Sequence, residues 1–245
     1  MFVDFDMIEA KNLRKDFDGF SAVYNVNFEL NSGELHGLIG PNGAGKTTMF
    51  NLLTGALSPT SGTIRFKGTD ITGADPTTIT RMGIGRSFQI VQDFPEMTVR
   101  EHFLLAIRDE TRTIGSIFGT DDYEHRIKAT ASTVGMSDEL DSPVKNLSYG
   151  DKRFLEIGMV LGLDPEVVLL DEPAAGLNES ETDVLIDILE GIRAEYTILM
   201  IDHDVDLVLD LSDRITVLHQ GKILSEGSPE EIRQDERIKE VYLGE

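Results

Sequence analysis

The stretch "GPNGAGKTT" at residues 40–48 restricts this chain more than any other. It fits G-x-x-x-x-G-K-[ST], a pattern that average composition produces by chance in roughly one chain per hundred of this length. The preceding "GELHGLIG" is a short apolar run ending in glycine, and the overlapping "AGKTTMFNLLTGAL" reads as a helix. A buried strand, a glycine loop and a helix in that order make a phosphate cradle, because glycines let successive backbone N–H groups turn toward an anion. In such a cradle Gly40, Pro41, Asn42, Gly43, Ala44 and Gly45 wrap the phosphates. Lys46 reaches the β- and γ-phosphates, and the Thr47 hydroxyl ligates Mg²⁺. Thr48 can add a further phosphate hydrogen bond.

The rest of the chain is organised around that loop. "EVVLLDEP" and "YTILMIDHD" are two more apolar runs of buried-strand type. Apolar strands alternating with helices predict a mostly parallel sheet covered on both faces. Upstream, "FSAVYNVNFEL" and later "GTIRFKGTDIT" have β-rich patterns bounded by turn residues. Residues 96–164 differ: "MTVREHFLLAIR", "DDYEHRIKATASTVGM" and "DKRFLEIGMVLGLD" read as successive helices. The expectation is one domain over 1–245. Residues 1–95 and 165–245 form its α/β core, and 96–164 form an inserted helical subdomain.

Composition excludes several classes. Forty-four acids against 22 bases give a net charge of −22, with no basic stripe of the kind that binds nucleic acid. There is no cysteine, hence no disulfide and no thiolate metal site. No apolar run approaches the roughly 20 residues that span a bilayer, and the N-terminus carries acids where a signal peptide carries bases. These features predict a soluble cytoplasmic protein whose membrane role is borrowed from a partner. The dispersed acids read first as a strongly solvated surface, with adaptation to high salt, where self-repulsion is screened, as the sharper alternative.

Further candidates follow from position. Asp171 ends the strand "VVLLD", where Mg²⁺ partners sit in phosphate-loop folds. Glu172 comes next, placed to orient a nucleophilic water. His203, just past "YTILMI", faces the same crevice and is a candidate contact for the γ-phosphate or the water. Gln89 in "GRSFQIV" is a candidate sensor of metal or water, with Gln92 as competitor. A lone glutamine is ordinarily polar surface, so this reading rests on order and context. Phe17 lies upstream, with Phe20 competing for any role it has. "LSYGD" at 147–151 is a turn feeding a helix N-terminus, and so half of an anion site. It has no lysine of its own.

Taken in order, these pieces resemble an ATP-binding cassette (ABC) ATPase over essentially the whole chain. "GPNGAGKTT" resembles the Walker A motif and "VVLLDEP" the Walker B motif. "SFQ", "AAGLN" and "IDHD" resemble the Q-, D- and H-loops, and "LSYGD" stands where the family carries its signature, usually LSGGQ. The resemblance implies a P-loop NTPase core of RecA type, with an N-terminal antiparallel β subdomain and an inserted helical subdomain. It implies ATP and Mg²⁺ as cofactors, Phe17 as the ring against adenine, and a mate that pairs head to tail. Ser148 and Gly150 would then contact the γ-phosphate held by the mate, with Asn178 at the same seam. Thr47, Gln89 and Asp171 are the implied metal set, and Glu172, His203 and Gln89 the implied catalytic set. Tyr149 and Asp151 depart from the usual signature. "YGD" before a basic pair and "LEI", with "DEPAAGLN", "PEMTVREHF", "SDRITVL" and "VYLGE", resembles the ATPases of branched-chain amino acid importers. Urea or short-amide importers are the alternative, and a soluble non-transport ABC ATPase a further one. The implied partners are a second ATPase subunit, transmembrane permeases and, indirectly, an extracytoplasmic binding protein. The implied location is the cytoplasmic face of the membrane.

Overall fold

The computed structural model describes residues 6–87, 94–107 and 120–243. Two long strands, β1 (Asp6–Phe17) and β2 (Phe20–Asn31), come first. They are followed by β3 (Leu35–Ile39), α1 (Lys46–Leu53), β4 (Ser61–Phe66) and β5 (Thr69–Asp70). Next come α2 (Pro76–Met82), β6 (Ile84–Arg86), α3 (Val99–Ile107), α4 (Thr120–Thr133) and α5 (Tyr149–Gly162). The chain returns through β7 (Val167–Asp171), α6 (Glu179–Ile192), β8 (Thr197–Ile201) and α7 (Val205–Leu211). It finishes with β9 (Arg214–His219), β10 (Lys222–Gly227), α8 (Pro229–Gln234) and α9 (Glu236–Leu243).

Two sheets result. The larger runs β10-β9-β3-β8-β7-β6, parallel throughout except for its antiparallel edge strand β10. The smaller, β2-β1-β4-β5, is antiparallel. The apolar runs read from the sequence occupy the centre of the larger sheet, and every residue of β3 and β8 is buried.

Strand alternation divides these residues between two cores, as a period of two requires. Val168, Leu170, Ile198 and Met200 face one side with Phe103 of α3, Leu155 of α5, Leu185 of α6 and Val208 of α7. Val167, Leu169, Leu199 and Ile201 face the other side with Phe50 of α1 and with Phe28 and Ile64 of the small sheet. One side of the parallel sheet is therefore roofed by helices and the other by α1 and the antiparallel sheet. Among the described residues from Val99 to Gly162 the regular elements are helical: α3, α4, a 3₁₀ turn at Val144–Asn146, and α5.

The sequence reading did not pick out β1, whose pairing with β2 slips between Ala10 and Leu13, the short helix α2 or the β9–β10 hairpin. No helix among the described residues is long and apolar enough to cross a membrane.

Candidate functional site

The phosphate loop leaves the C-terminal end of β3 and enters α1. Gly45 has φ 105°, and a Cβ there would lie 2.4 Å from the Ala22 carbonyl oxygen, so only glycine fits against β2. The Gly221 N–H donates to the Ala44 carbonyl at 2.9 Å, which ties the loop to the β9–β10 turn. Among the described residues no side chain caps α1, which leaves its first-turn N–H groups open to an anion. Lys46 opens the helix, is buried, and donates to the Gly40 and Pro41 carbonyls. Burial pulls its pKa down, against the charges of Glu172 and Asp171. An ammonium held this way favours an added anion, which restores its lost solvation.

Thr47, Asp171 and Glu172 line one cleft of about 490 Å³, which Arg86, Ser87, Arg153 and Glu156 also line. Asp171 ends β7. Burial first, and then the neighbouring Glu172 charge, push its pKa up, while Arg86, Arg153 and His203 pull it down. Its carboxylate has thus lost solvation that a cation would replace. A hydroxyl and a carboxylate oxygen in one cleft are the hard donors that Mg²⁺ takes.

Glu172 is held on every polar group. It takes a left-handed backbone, φ 51°. Its N–H donates to the Ile201 carbonyl at 2.7 Å, and its carboxylate Oε1 lies 2.7 Å from His203 Nε2. Its own carbonyl accepts from Arg153 Nη2 at 3.1 Å. Asp202, buried and not singled out from the sequence, organises the histidine. Its carboxylate accepts from the N–H groups of His203 at 2.7 Å, Asp204 at 3.1 Å and Ala174 at 2.9 Å. One side chain thereby joins the loop after β8 to the turn after Glu172.

Ser148 and Gly150 are not among the residues lining this cleft. Ser148 caps α5: its Oγ accepts from the Asp151 N–H at 3.0 Å and donates to Asp151 Oδ2 at 2.7 Å. Gly150 approaches α6 closely, since a Cβ there would lie 2.5 Å from Glu181 Oε1. Tyr149 lies over Gly176 in "AAGLN", its Cε1 2.9 Å from where a Cβ would stand. Asn178 caps α6 reciprocally with Glu181. Phe17 and Phe20 face one another at the end of the β1–β2 hairpin, both exposed, with Lys15 Nζ 5.2 Å from the Phe17 ring centre. Gln89 and Gln92 lie outside the described residues.

Besides Asp202, sequence reasoning missed Arg86, Ser87, Arg153 and Glu156. Arg86 donates to Asn51 and Thr54 of α1 and its end, both at 2.9 Å, and packs on the Phe50 ring. Only an arginine at the end of β6 and an Arg-x-x-Glu spacing in α5 signalled them.

A glycine loop between a central parallel strand and a helix, with a carboxylate pair ending a neighbouring strand, defines a P-loop nucleotide-hydrolysing core. A family model described as ABC transporter matches residues 23–175. The chain is 41% identical to the high-affinity branched-chain amino acid transport ATP-binding protein LivG of Escherichia coli K12, covering 98% of each. It is 38% identical to BraF, the Pseudomonas aeruginosa protein of the same description, again over 98% of each. A solved ATP-binding cassette, MJ1267 in its ADP conformation, superposes with a TM-score of 0.86 at 29% identity, covering 100% of both chains. The chain belongs to the ABC transporter family, as an ATP-binding cassette with ATPase activity.

Proposed function

We propose that this chain is the motor subunit of an importer for branched-chain or other hydrophobic amino acids, bound to permease subunits at the cytoplasmic face of the membrane. The names of LivG and BraF support the substrate class and the transport role. The observation that carries the chemistry is Glu172, held 2.7 Å from His203 in the cleft that Thr47 and Asp171 also line. Lys46 and the loop N–H groups hold the ATP phosphates. The Thr47 hydroxyl and Asp171 carboxylate would hold Mg²⁺, which neutralises developing charge on the β- and γ-phosphates when bound. Glu172 orients the attacking water and takes its proton. His203 fixes that carboxylate and stands ready for the γ-phosphate. Phe17 offers its ring to adenine, and Gln89 completes the metal and water contacts.

A second cassette, a copy or a paralogue, completes the site. Ser148 and Gly150, at the N-terminal end of the fourteen-residue α5, would meet the γ-phosphate bound by the mate, where the helix dipole favours an anion. Asn178 and Gly176 would lie at the seam. ATP then closes the pair and hydrolysis releases it.

The test uses Glu172→Gln. That variant should bind ATP with wild-type affinity, lose at least about a hundredfold in turnover and elute as a nucleotide-bound dimer in size exclusion. Near-wild-type hydrolysis removes Glu172 from the role of base. Labelled uptake by the complex with co-purified permeases decides the cargo: leucine-class uptake supports the reading, and urea or no membrane partner at all overturns it.

A further inference from the structure

Arg153 is the residue of α5 that reaches the strand end carrying Glu172. Its Nη2 donates to the Glu172 carbonyl at 3.1 Å, while Nη1 pairs with Glu156 Oε2, one turn along the same helix, at 2.7 Å. The pair is largely enclosed, with side-chain exposures of 15% for Arg153 and 7% for Glu156. Burial raises the Glu156 pKa against the pull of Arg153, so this carboxylate depends on its arginine. Arg153 Nε is buried and finds no hydrogen-bond partner among the described residues. Enclosing a guanidinium with one nitrogen unpartnered carries a desolvation cost.

β8 holds the Glu172 N–H, the loop between β8 and α7 holds its carboxylate, and its carbonyl is shared between the Ala175 N–H of its own turn, at 3.1 Å, and Arg153 of α5. The Arg153 contact is the one of these that comes from the helix Ser148 caps. With its backbone in the left-handed region, Glu172 has a narrow well to occupy, and the carbonyl contact helps define it.

We propose that Arg153 is a positioning residue coupling the two ATP sites of a dimer, by fixing the Glu172 backbone of one site to the helix whose N-terminus serves the other. The proposal rests on the head-to-tail pairing proposed above. When Ser148 and Gly150 engage the mate's phosphate, α5 shifts as a rigid element, and Arg153 carries that shift to the Glu172 peptide. Loading of one site thereby aligns the carboxylate of the second.

The experiment replaces both charges together, Arg153→Gln with Glu156→Gln, so that no unpaired buried charge remains. The expected result is a fall in kcat of about tenfold and loss of positive cooperativity in ATP. KM should stay within about twofold, and ATP should still trap a dimer when Glu172→Gln is added. Arg153→Lys alone should recover part of kcat, since an ammonium can serve one of the two oxygens but not both in fork geometry. Wild-type kcat and cooperativity in the double variant overturn the proposal. So does a raised KM with unchanged kcat. If the double variant does not fold, Arg153→Lys decides: lowered kcat at constant KM supports the coupling, and unchanged kcat overturns it. Failure of Glu172→Gln alone to dimerise with ATP overturns the head-to-tail reading and the coupling with it. A normal trap beside undiminished turnover in the Arg153 variants overturns the coupling alone.

Discussion

Asp151 stands where the family signature usually ends in glutamine, and its contacts give that departure a physical role. It is the third residue of α5 and closes a reciprocal cap with Ser148. The hydroxyl proton of Ser148 is spent on Asp151 Oδ2 within the chain, so a phosphate meeting this helix first competes with a carboxylate. Asp171 shows the opposite situation, an acid that the fold makes costly. An acid with a raised native pKa binds protons more tightly folded than unfolded, so its stability contribution falls as pH rises from the ordinary aspartate range through the raised value. Asp171→Asn should therefore abolish Mg²⁺-dependent hydrolysis while raising the nucleotide-free melting temperature by up to about 4 °C, the shift that about 1 kcal/mol makes in a chain of this size. A lowered melting temperature at pH 7 would show that the carboxylate is compensated after all. Single residues with strong chemical types were legible in the sequence: Lys46, Thr47, Asp171, Glu172 and His203 were named from motif and strand position. Asp202 was not, because its role is to accept three backbone N–H groups, and which N–H groups converge on a side chain is a property of the folded loop.

At the level of elements, uniform apolar runs were easy to read and broken ones were not. β3, β7 and β8 are buried on both faces, so nearly every residue is apolar. β1 buries Met7, Ile8, Ala10 and Leu13, a sequence with no steady period. The interruption is a bulge: Asn12 has φ 48°, and the register shifts beside it against both neighbours. The β9–β10 turn places Gln220 and Gly221 at φ 50° and 75°, a left-handed pair that usually announces itself as Asn-Gly. Helix packing carries its own prediction. A Cβ on Gly158 of α5 would lie 2.6 Å from Phe103 Cε1 of α3, so glycine here lets the ring pack directly on the helix. Gly158→Val should cost about 1–3 kcal/mol by overpacking, measured by urea denaturation. An unchanged midpoint would mean that α3 and α5 separate freely, and would undermine α5 as a rigid carrier of Arg153.

For the whole molecule, charge is the dominant quantity. A net charge of −22 acts against compactness and against pairing with a second acidic chain. Raising KCl from 0.1 M to 1 M shortens the Debye length from about 10 Å to about 3 Å. The melting temperature should rise across that range, and the ATP-trapped dimer of Glu172→Gln should become more populated. Full stability at low salt, with a flat profile, would remove salt adaptation as an account of the acids. The parallel-rich core was legible from its uniformly apolar strands, whereas the antiparallel sheet came from the resemblance to the family. The sequence by itself determined the phosphate loop, the strand ends that bear carboxylates and histidine, and the family, because these depend on local order along the chain. Only the tertiary structure decided that His203 and Arg153 hold Glu172 from different elements, that Asp202 fixes the loop of His203, that Asp151 engages Ser148, and that Gly150 and Tyr149 abut α6 and its approach. Those are contacts between segments distant in sequence, or choices among rotamers. Burial and geometry fix them, and no local pattern encodes either.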